Sequence, residues 1–302
     1  MKLKFFLLFA FYTLFFLFYP GNSYYFHIFA YNRAVFTQKE KKINLKINPV
    51  PYLKFNYYPE VSAQGVYVVD LPLFTPLMER NANQHFLPAS TTKIITALVA
   101  FDIYQPEQII TVKNPTNEGQ VMGLVPGEKI TVENLLYGIL VHSANDAAYA
   151  LAENFGFEKF INSMNKKAKD LKMNNSYFVN PAGYDDSKQT TTPYDLALAA
   201  RALLANKYLA KIAATKEIII SDVDFKIFHK LSNVNKLLGE VQGIGGLKTG
   251  YTENARENLV SFYKKNGHQF IVVILKSQDR FQDTKNIINW INENIDYLNP
   301  KL

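Results

Sequence analysis

Strand-like apolar runs at both ends of this chain enclose a long helical middle, and few folds satisfy that layout. Gly65 to Asp70 carries Val66-Tyr67-Val68-Val69, and Leu77 to Arg80 is placed to return beside it. Far along the chain, Asn258–Tyr263 and Gln269–Leu275 are apolar runs joined across Asn266-Gly267, a dipeptide that favours a tight hairpin. Glu217–Ile220 and Phe225–Phe228 also read as extended. The residues between follow a helical period instead. Pro88-Ala89-Ser90 opens a helix with Ile94, Ile95, Leu98, Val99 and Ile103 as its core stripe. Thr131 caps a second through Leu135, Leu136, Ile139 and Leu140, with Glu133 at its positive end. A third runs from about Ala144 to Asn154 and stops at Gly156, and Phe157, Phe160, Ile161, Met164, Ala168 and Leu171 mark a fourth. Thr192-Pro193-Tyr194-Asp195 starts a helix to about Leu204, and an amphipathic helix from about Gln282 to Ile295 closes the pattern. The expected architecture is therefore an α/β domain with a helical lobe inserted in its sheet, not two domains in series. No internal repeat is visible.

The 302 residues suffice for a substantial core. A net charge of +7 suits a protein working near anionic surfaces. No Lys/Arg-rich run with interleaved aromatics accompanies it, so nucleic acid is not expected as a partner. The absence of cysteine excludes disulfides, Cys-zinc sites and thiol catalysis together. At the N-terminus Lys2 and Lys4 precede an apolar run from Phe5 to Tyr19, broken by Pro20-Gly21-Asn22-Ser23. Residues 1–23 thus read as a secretory signal or as an uncleaved membrane anchor, and either implies export. Residues 24–62, with the charged patch Lys39-Glu40-Lys41-Lys42 and several prolines, read as a linker, leaving 63–296 for the main folded domain with its helical lobe at about 90–206.

Three short stretches carry chemistry. Ser90 and Lys93 are three apart at a helix start and so share a face. A serine hydroxyl is a poor nucleophile until a base takes its proton, and lysine can act only when neutral. Burial and a second positive charge, for which Lys248 is the candidate, would favour that state. Ser143 and Asn145 lie at a corner between two helices, where Ser143 can relay a proton from Lys93 to a leaving amine and Asn145 can hold Lys93 and a substrate amide. Lys248-Thr249-Gly250 follows Gly243-Ile244-Gly245-Gly246 and reads as a strand. Lys248 and Thr249 suit a carboxylate, Gly250 permits close backbone approach, and the Tyr251 amide can complete an oxyanion hole with that of Ser90. Strand alternation turns Thr249 away from Lys248 and Gly250, so twist or a bulge must bring all three to one site. Taken singly, each stretch is as well explained by helix capping or a glycine-rich turn. None of His27, His85, His142, His229 and His268 has an obvious acid partner or ligand set, so neither a histidine triad nor a metal is expected.

Together the stretches resemble the low-molecular-mass D-alanyl-D-alanine carboxypeptidases. The resemblance extends through Pro88–Lys93, His142–Ala148, Asn180-Pro181-Ala182-Gly183, the Thr192–Asp195 helix start and Gly246–Thr252, and covers roughly Gly65 to Trp290. It implies a β-lactamase/DD-peptidase-like fold, an antiparallel sheet flanked by helices with an inserted helical lobe. It also implies a location in the periplasm or on the outer face of the cytoplasmic membrane. The implied activity is removal of the terminal D-alanine from peptidoglycan stem peptides through a Ser90 acyl-enzyme, without a cofactor, with β-lactams as covalent inhibitors. By the same resemblance Arg280 assists Lys248 with the substrate carboxylate. Where the family often carries an aspartate and a histidine, this chain has Gly245 and Tyr251, and no separate C-terminal β-domain is expected. Three alternatives stand beside this reading: a D,D-endopeptidase of cross-links, a β-lactam sensor that stays acylated, and a class A-like β-lactamase. The last is disfavoured because no glutamate lies between Glu158 and Glu217, although Asp185 or Asp186 could substitute.

Overall fold

The computed structural model describes residues 2–18 and 48–298. Two units are separated at Ile47/Asn48. In the first, α1 (Lys2–Phe18) is an apolar helix without a charge after Lys4. Among the described residues no helix is long and apolar enough to cross a membrane. The expected cleavage region around Gly21–Tyr24, the linker residues 24–47 and His27 lie outside the described residues.

The second unit realises the layout of strands enclosing helices. β2 (Gly65–Leu71), β3 (Thr75–Arg80), β8 (Ile244–Thr252), β9 (Arg256–Lys265) and β10 (His268–Ser277) form one antiparallel sheet in the order β3-β2-β10-β9-β8. The joining register sets Gln269 opposite Leu71 and Leu275 opposite Gly65, so the two ends of the unit meet in its centre. Alternation sorts the strands between two cores. Tyr67, Val69, Val260, Ile271, Val273 and Leu275 face the large core with α2 (Lys93–Ile103) and α6 (Pro193–Ala205). Val66, Val68, Leu259, Val272 and Ile274 face a smaller one under α8 (Arg280–Asn294), where Ile287, Trp290 and Ile291 are buried. Because both faces are covered, the strands read as continuous apolar runs.

The lobe contains α2, α3 (Val132–Tyr137), α4 (Asn145–Phe155), α5 (Phe157–Asp170), α6 and α7 (Lys207–Ala213). Thr131 Oγ1 accepts from Asn134 N at 3.3 Å and Thr192 Oγ1 from Asp195 N at 3.1 Å, so both expected N-caps form. The Asn266-Gly267 hairpin pairs β9 with β10.

Several boundaries differ from expectation. Ser90 lies not in the first turn of an α-helix but in a 3-10 turn, Ala89–Thr92, that feeds α2. The helix expected through Leu140 ends at Tyr137 and continues as a wider π-turn, Gly138–His142. A short hairpin of β4 (Ile109–Thr111) and β5 (Lys129–Thr131) had no strand signal because each strand is only three residues long. In the hairpin of β6 (Glu217–Ser221) with β7 (Phe228–Ser232), the second strand begins where it was expected to end. Asp222 explains the shift: its Oδ1 accepts from Lys226 N at 2.7 Å and Ile227 N at 2.8 Å, which draws those residues into the turn.

The described end of the segment read as linker is also structured. β1 (Val50–Leu53) pairs with β11 (Ile295–Leu298), and Asn294 Oδ1 accepts from Phe55 N at 2.7 Å. Buried Asp283 on α8 accepts from Ser62 N (2.9 Å), Ser62 Oγ (2.8 Å), Ala63 N (2.9 Å) and Ser277 Oγ (2.6 Å). One carboxylate therefore ties the entry of β2 and the exit of β10 to α8. Asp283→Ala strands two backbone donors and two hydroxyls, and should cost about 3 kcal/mol in denaturant unfolding.

Candidate active site

Lys93, fully buried at the first position of α2, is the centre of the site. Its Nζ lies 3.0 Å from Ser90 Oγ, 2.7 Å from Asn145 Oδ1 and 2.7 Å from the Ala182 carbonyl. Burial pushes the Lys93 amine down to about 7, partly opposed by the carboxylate of Asp146. The partner set suits a neutral amine. Two partners can only accept and take its two N–H groups, while the third is a hydroxyl that can donate to the remaining lone pair.

Ser90 is held at this distance by tight backbone contacts on both sides. Ala89 adopts φ +47° and Gly183 φ +93°, and a Cβ on Gly183 would meet Ala89 O at 1.9 Å. On the other side a Cβ on Gly250 would meet Ser90 N at 3.0 Å and Pro88 O at 3.1 Å. The loop carrying Ala182 is anchored by Asn180 Oδ1, which accepts from Gly183 N at 2.7 Å and Tyr184 N at 3.0 Å. Thr96 of α2 donates to Pro181 O at 2.7 Å.

The π-turn ends at Ser143 in the left-handed region, φ +63°, and α4 starts two residues later. That corner turns both side chains into the site. Ser143 Oγ accepts from Lys248 Nζ at 2.8 Å, so its partner is Lys248 and not Lys93 as the relay expectation had it. Asn145 Nδ2 donates to Glu118 O at 2.9 Å and to Tyr184 Oη at 3.1 Å, which leaves Oδ1 for Lys93. Buried Asp146 accepts from the amides of Met122 (3.1 Å), Gly123 (2.9 Å) and Leu124 (3.0 Å), and so fastens the loop above the cleft. Glu128 and His229 pin the far end of that loop, with His229 Nε2 and Glu128 Oε1 at 2.7 Å and His229 Nδ1 at 3.0 Å from Met122 O. Hydrogen bonding to Glu128 holds the His229 imidazole above its ordinary value despite burial.

β8 is the edge strand beside Ser90. The register shifts between Ile244 and Leu247, where Gly246 packs against the backbone of α7, but runs regularly from Leu247 to Thr252, so the expected bulge does not fall among Lys248, Thr249 and Gly250. Lys248 and Thr249 are both buried, while Tyr251 is exposed. Lys248 Nζ also donates to Thr249 O at 2.9 Å. Arg280 Nη1 donates to Gly250 O at 2.8 Å, and its Nε is buried without a partner. Burial, then Lys93 and then Arg280 push the Lys248 amine well below its ordinary value. Lys93, Lys248 and Arg280 thus form a dry cationic cluster, and among the described residues no carboxylate forms an ion pair with any of the three.

Seven of the nine residues singled out from the sequence, Ser90, Lys93, Ser143, Asn145, Lys248, Gly250 and Arg280, are therefore brought together by these contacts, and Thr249 and Tyr251 are their neighbours on β8. Sequence reasoning gave no role to Tyr184, Glu118 or Asp146, which contribute through tertiary hydrogen bonds. Asn180–Gly183 was marked only by resemblance. His142 contacts Gln120 Nε2 at 2.7 Å, outside the Ser90–Lys93 pair. Among the described residues no three His, Cys, Asp or Glu side chains are grouped to hold a metal ion.

The sequence profile of the D-alanyl-D-alanine carboxypeptidase family, peptidase S11, matches residues 54–279. The chain belongs to this family. The D-alanyl-D-alanine carboxypeptidase DacF of Bacillus subtilis is 36% identical over 207 residues, covering 66% of this chain and 53% of the relative. DacB2 of Mycobacterium tuberculosis is 32% identical over 222 residues, covering 72% of this chain and 76% of the relative. The chain spans about half the length of DacF and 62% of that of DacC of Escherichia coli. Among solved structures, the Streptomyces K15 DD-transpeptidase superposes with a TM-score of 0.74 at 28% identity, covering 78% of this chain and 98% of that one. DacD of Francisella tularensis gives 0.72 at 27% identity, covering 79% and 73%. This S11 chain has the β-lactamase/DD-peptidase-like fold.

The close approach at Gly183 is a sensitive test of the site. Gly183→Ala forces a positive-φ alanine against Ala89 O and Ser90 N. It should cost about 2 kcal/mol or more in stability, measured by denaturant unfolding.

Proposed function

We propose that this chain is a serine-type D-alanyl-D-alanine carboxypeptidase, exported and acting on peptidoglycan stem peptides, with residues 63–296 as its catalytic domain. The observation that carries the reading is Lys93 Nζ at 3.0 Å from Ser90 Oγ, with its other two partners pure acceptors. In the first step Lys93 takes the Ser90 proton as Oγ attacks the carbonyl between the two D-alanines. The Ser90 and Tyr251 amides receive the oxyanion. Lys248, Thr249 and Arg280 hold the terminal carboxylate, and the anion supplies the counter-charge that the cationic cluster lacks. Lys93 then gives up that proton to the departing D-alanine amine by way of Ser143, whose hydroxyl leaves Lys248 to bridge them once the substrate is bound. In the second step water, deprotonated by Lys93, attacks the ester and frees Ser90. Asn145 holds Lys93 through Oδ1 and receives the substrate backbone. β-Lactams would form the same Ser90 ester. A membrane attachment through the N-terminal segment belongs to this reading and rests on the Lys2–Tyr19 pattern alone.

Hydrolysis of the acyl-enzyme by a β-lactamase-type base is not favoured. Of the two carboxylates that could have served, Asp185 is engaged by Thr252 and Asn254, and Asp186 accepts from Lys188 N at 2.8 Å.

The test is release of D-alanine from diacetyl-Lys-D-Ala-D-Ala, with intact mass following a penicillin adduct at Ser90. A lasting adduct together with D-alanine release supports the carboxypeptidase, and Ser90→Ala should abolish both, with a loss of at least about three orders of magnitude in rate. Rapid penicillin hydrolysis would instead indicate a β-lactamase, and an adduct without peptide turnover an endopeptidase or sensor. The pH profile provides a second check. Only neutral Lys93 can accept the proton, so kcat/KM should fall about tenfold per pH unit below the apparent value near 7. A kcat/KM independent of pH from about 5 to 8 would exclude Lys93 as the base.

A further inference from the structure

The cleft does not end at Gly250. Under the carboxypeptidase reading, on which this inference rests, the terminal carboxylate lies at Lys248–Thr249 and the scissile carbonyl at Ser90 and Tyr251. Motion from Lys248 to Tyr251 along edge strand β8 is thus motion from the C-terminus of the substrate toward its N-terminus. An extended peptide advances about 3.3 Å per residue, the same rise as the strand beside it. The residue preceding the two D-alanines therefore comes abreast of Thr252.

At that level the two walls of the cleft meet. Asp185 Oδ1 accepts from Thr252 Oγ1 at 2.7 Å, and its Oδ2 accepts from Asn254 Nδ2 at 3.0 Å. The preceding residue, Tyr184, is fixed by its hydroxyl to Asn145 and to the Glu118 carbonyl, and by its own carbonyl to Asn180 Nδ2 at 3.1 Å. The carboxylate is therefore positioned by two neutral donors and by a rigid neighbour. Its charge is uncompensated: Lys188 and Arg256, the basic residues on the same two segments, form no ion pair with it. Asp185 is exposed, so a ligand can reach it from the cleft mouth.

We propose that Asp185 is a specificity-determining residue that recognises a cationic side chain, an alkyl amine of the lysine type, on the residue preceding D-Ala-D-Ala. No bond is made or broken in this recognition. The interaction is an ion pair across the end of the cleft, which raises kcat/KM for substrates carrying the amine.

The experiment compares two tripeptides that differ only in that charge, Nα-acetyl-Lys-D-Ala-D-Ala and its Nε-acetylated counterpart. The full chain is assayed for D-alanine release as wild type, Asp185→Asn and Asp185→Glu. An exposed ion pair is worth up to about 1 kcal/mol, so the wild type should prefer the free amine by about threefold to fivefold at low ionic strength. The preference should shrink toward one as salt is added, vanish in Asp185→Asn and return in part in Asp185→Glu. A bridge with a purely structural role would lower turnover of both peptides equally and leave their ratio and its salt dependence untouched. Equal use of the two peptides by the wild type, or a preference that survives Asp185→Asn, overturns the inference and leaves the carboxypeptidase reading standing. Hydrolysis of neither peptide by the wild type overturns that reading and the inference with it.

Discussion

A lysine amine buried in a dry cleft is the constraint on which the rest of this structure depends. Removing Lys93 from water is costly, and the cost is offset only because three partners converge on one nitrogen. Those partners come from three distant segments: the 3-10 turn before α2, the start of α4 and the loop at 180–184. Each segment is fastened in turn. Asn145 is oriented by Glu118 O and Tyr184 Oη, Ala182 by the Asn180 turn and Thr96, and Ser90 by the backbones of Gly183 and Gly250. The helical lobe and the sheet are therefore locked together at the point where the chemistry is proposed to occur. Mispositioning any one segment leaves a buried donor or acceptor unmet, and that penalty keeps the site in register.

Charge gives the cleft its second property. Lys93, Lys248 and Arg280 lie together without an anionic partner, while the nearby acids are engaged elsewhere. Asp146 spends its carboxylate on the amides of the 122–124 loop, and Glu128 spends its own on His229. The first arrangement disfavours holding every cation charged at once, which poises one amine as a base and invites an anion. The second braces the roof of the cleft with carboxylates kept out of the reaction. The His229 contribution has a definite sign. Because Glu128 raises the imidazole above its unfolded value, this pair stabilises the fold fully below that unfolded value and loses the contribution as pH rises through the raised one.

Much of the fold was legible because its elements announce themselves locally. The Asn266-Gly267 turn, the Thr131 and Thr192 caps and the apolar stripes of α2 and α5 each follow from short-range rules, and each forms. The misreadings occur where tertiary partners override local pattern. Asp222 draws Lys226 and Ile227 into a turn that their apolar neighbours had suggested was strand. Residues 48–62, mixed in composition and proline-bearing, looked like linker, yet Asp283 and Asn294 on α8 supply hydrogen bonds that order them. The switch from α-helix to π-turn at Gly138 left no mark in composition, although it is what turns Ser143 and Asn145 into the cleft.

The sequence by itself determined the strand–helix–strand layout, and with it an α/β sheet with an inserted lobe, because periodicity and turn chemistry are properties of neighbours. It also singled out nine candidate site residues, Arg280 among them, since three such motifs have few other uses in combination. Only the tertiary structure decided who bonds to whom. Pairing Ser143 with Lys248 instead of Lys93, closing the Lys93 shell with the Ala182 carbonyl, and setting Asp185 against Thr252 all require contacts between segments remote in the chain. A backbone carbonyl carries no residue-specific signal at all. Hydrogen-bond partners are chosen by where the packed cores leave the chain, and that choice is written in three dimensions.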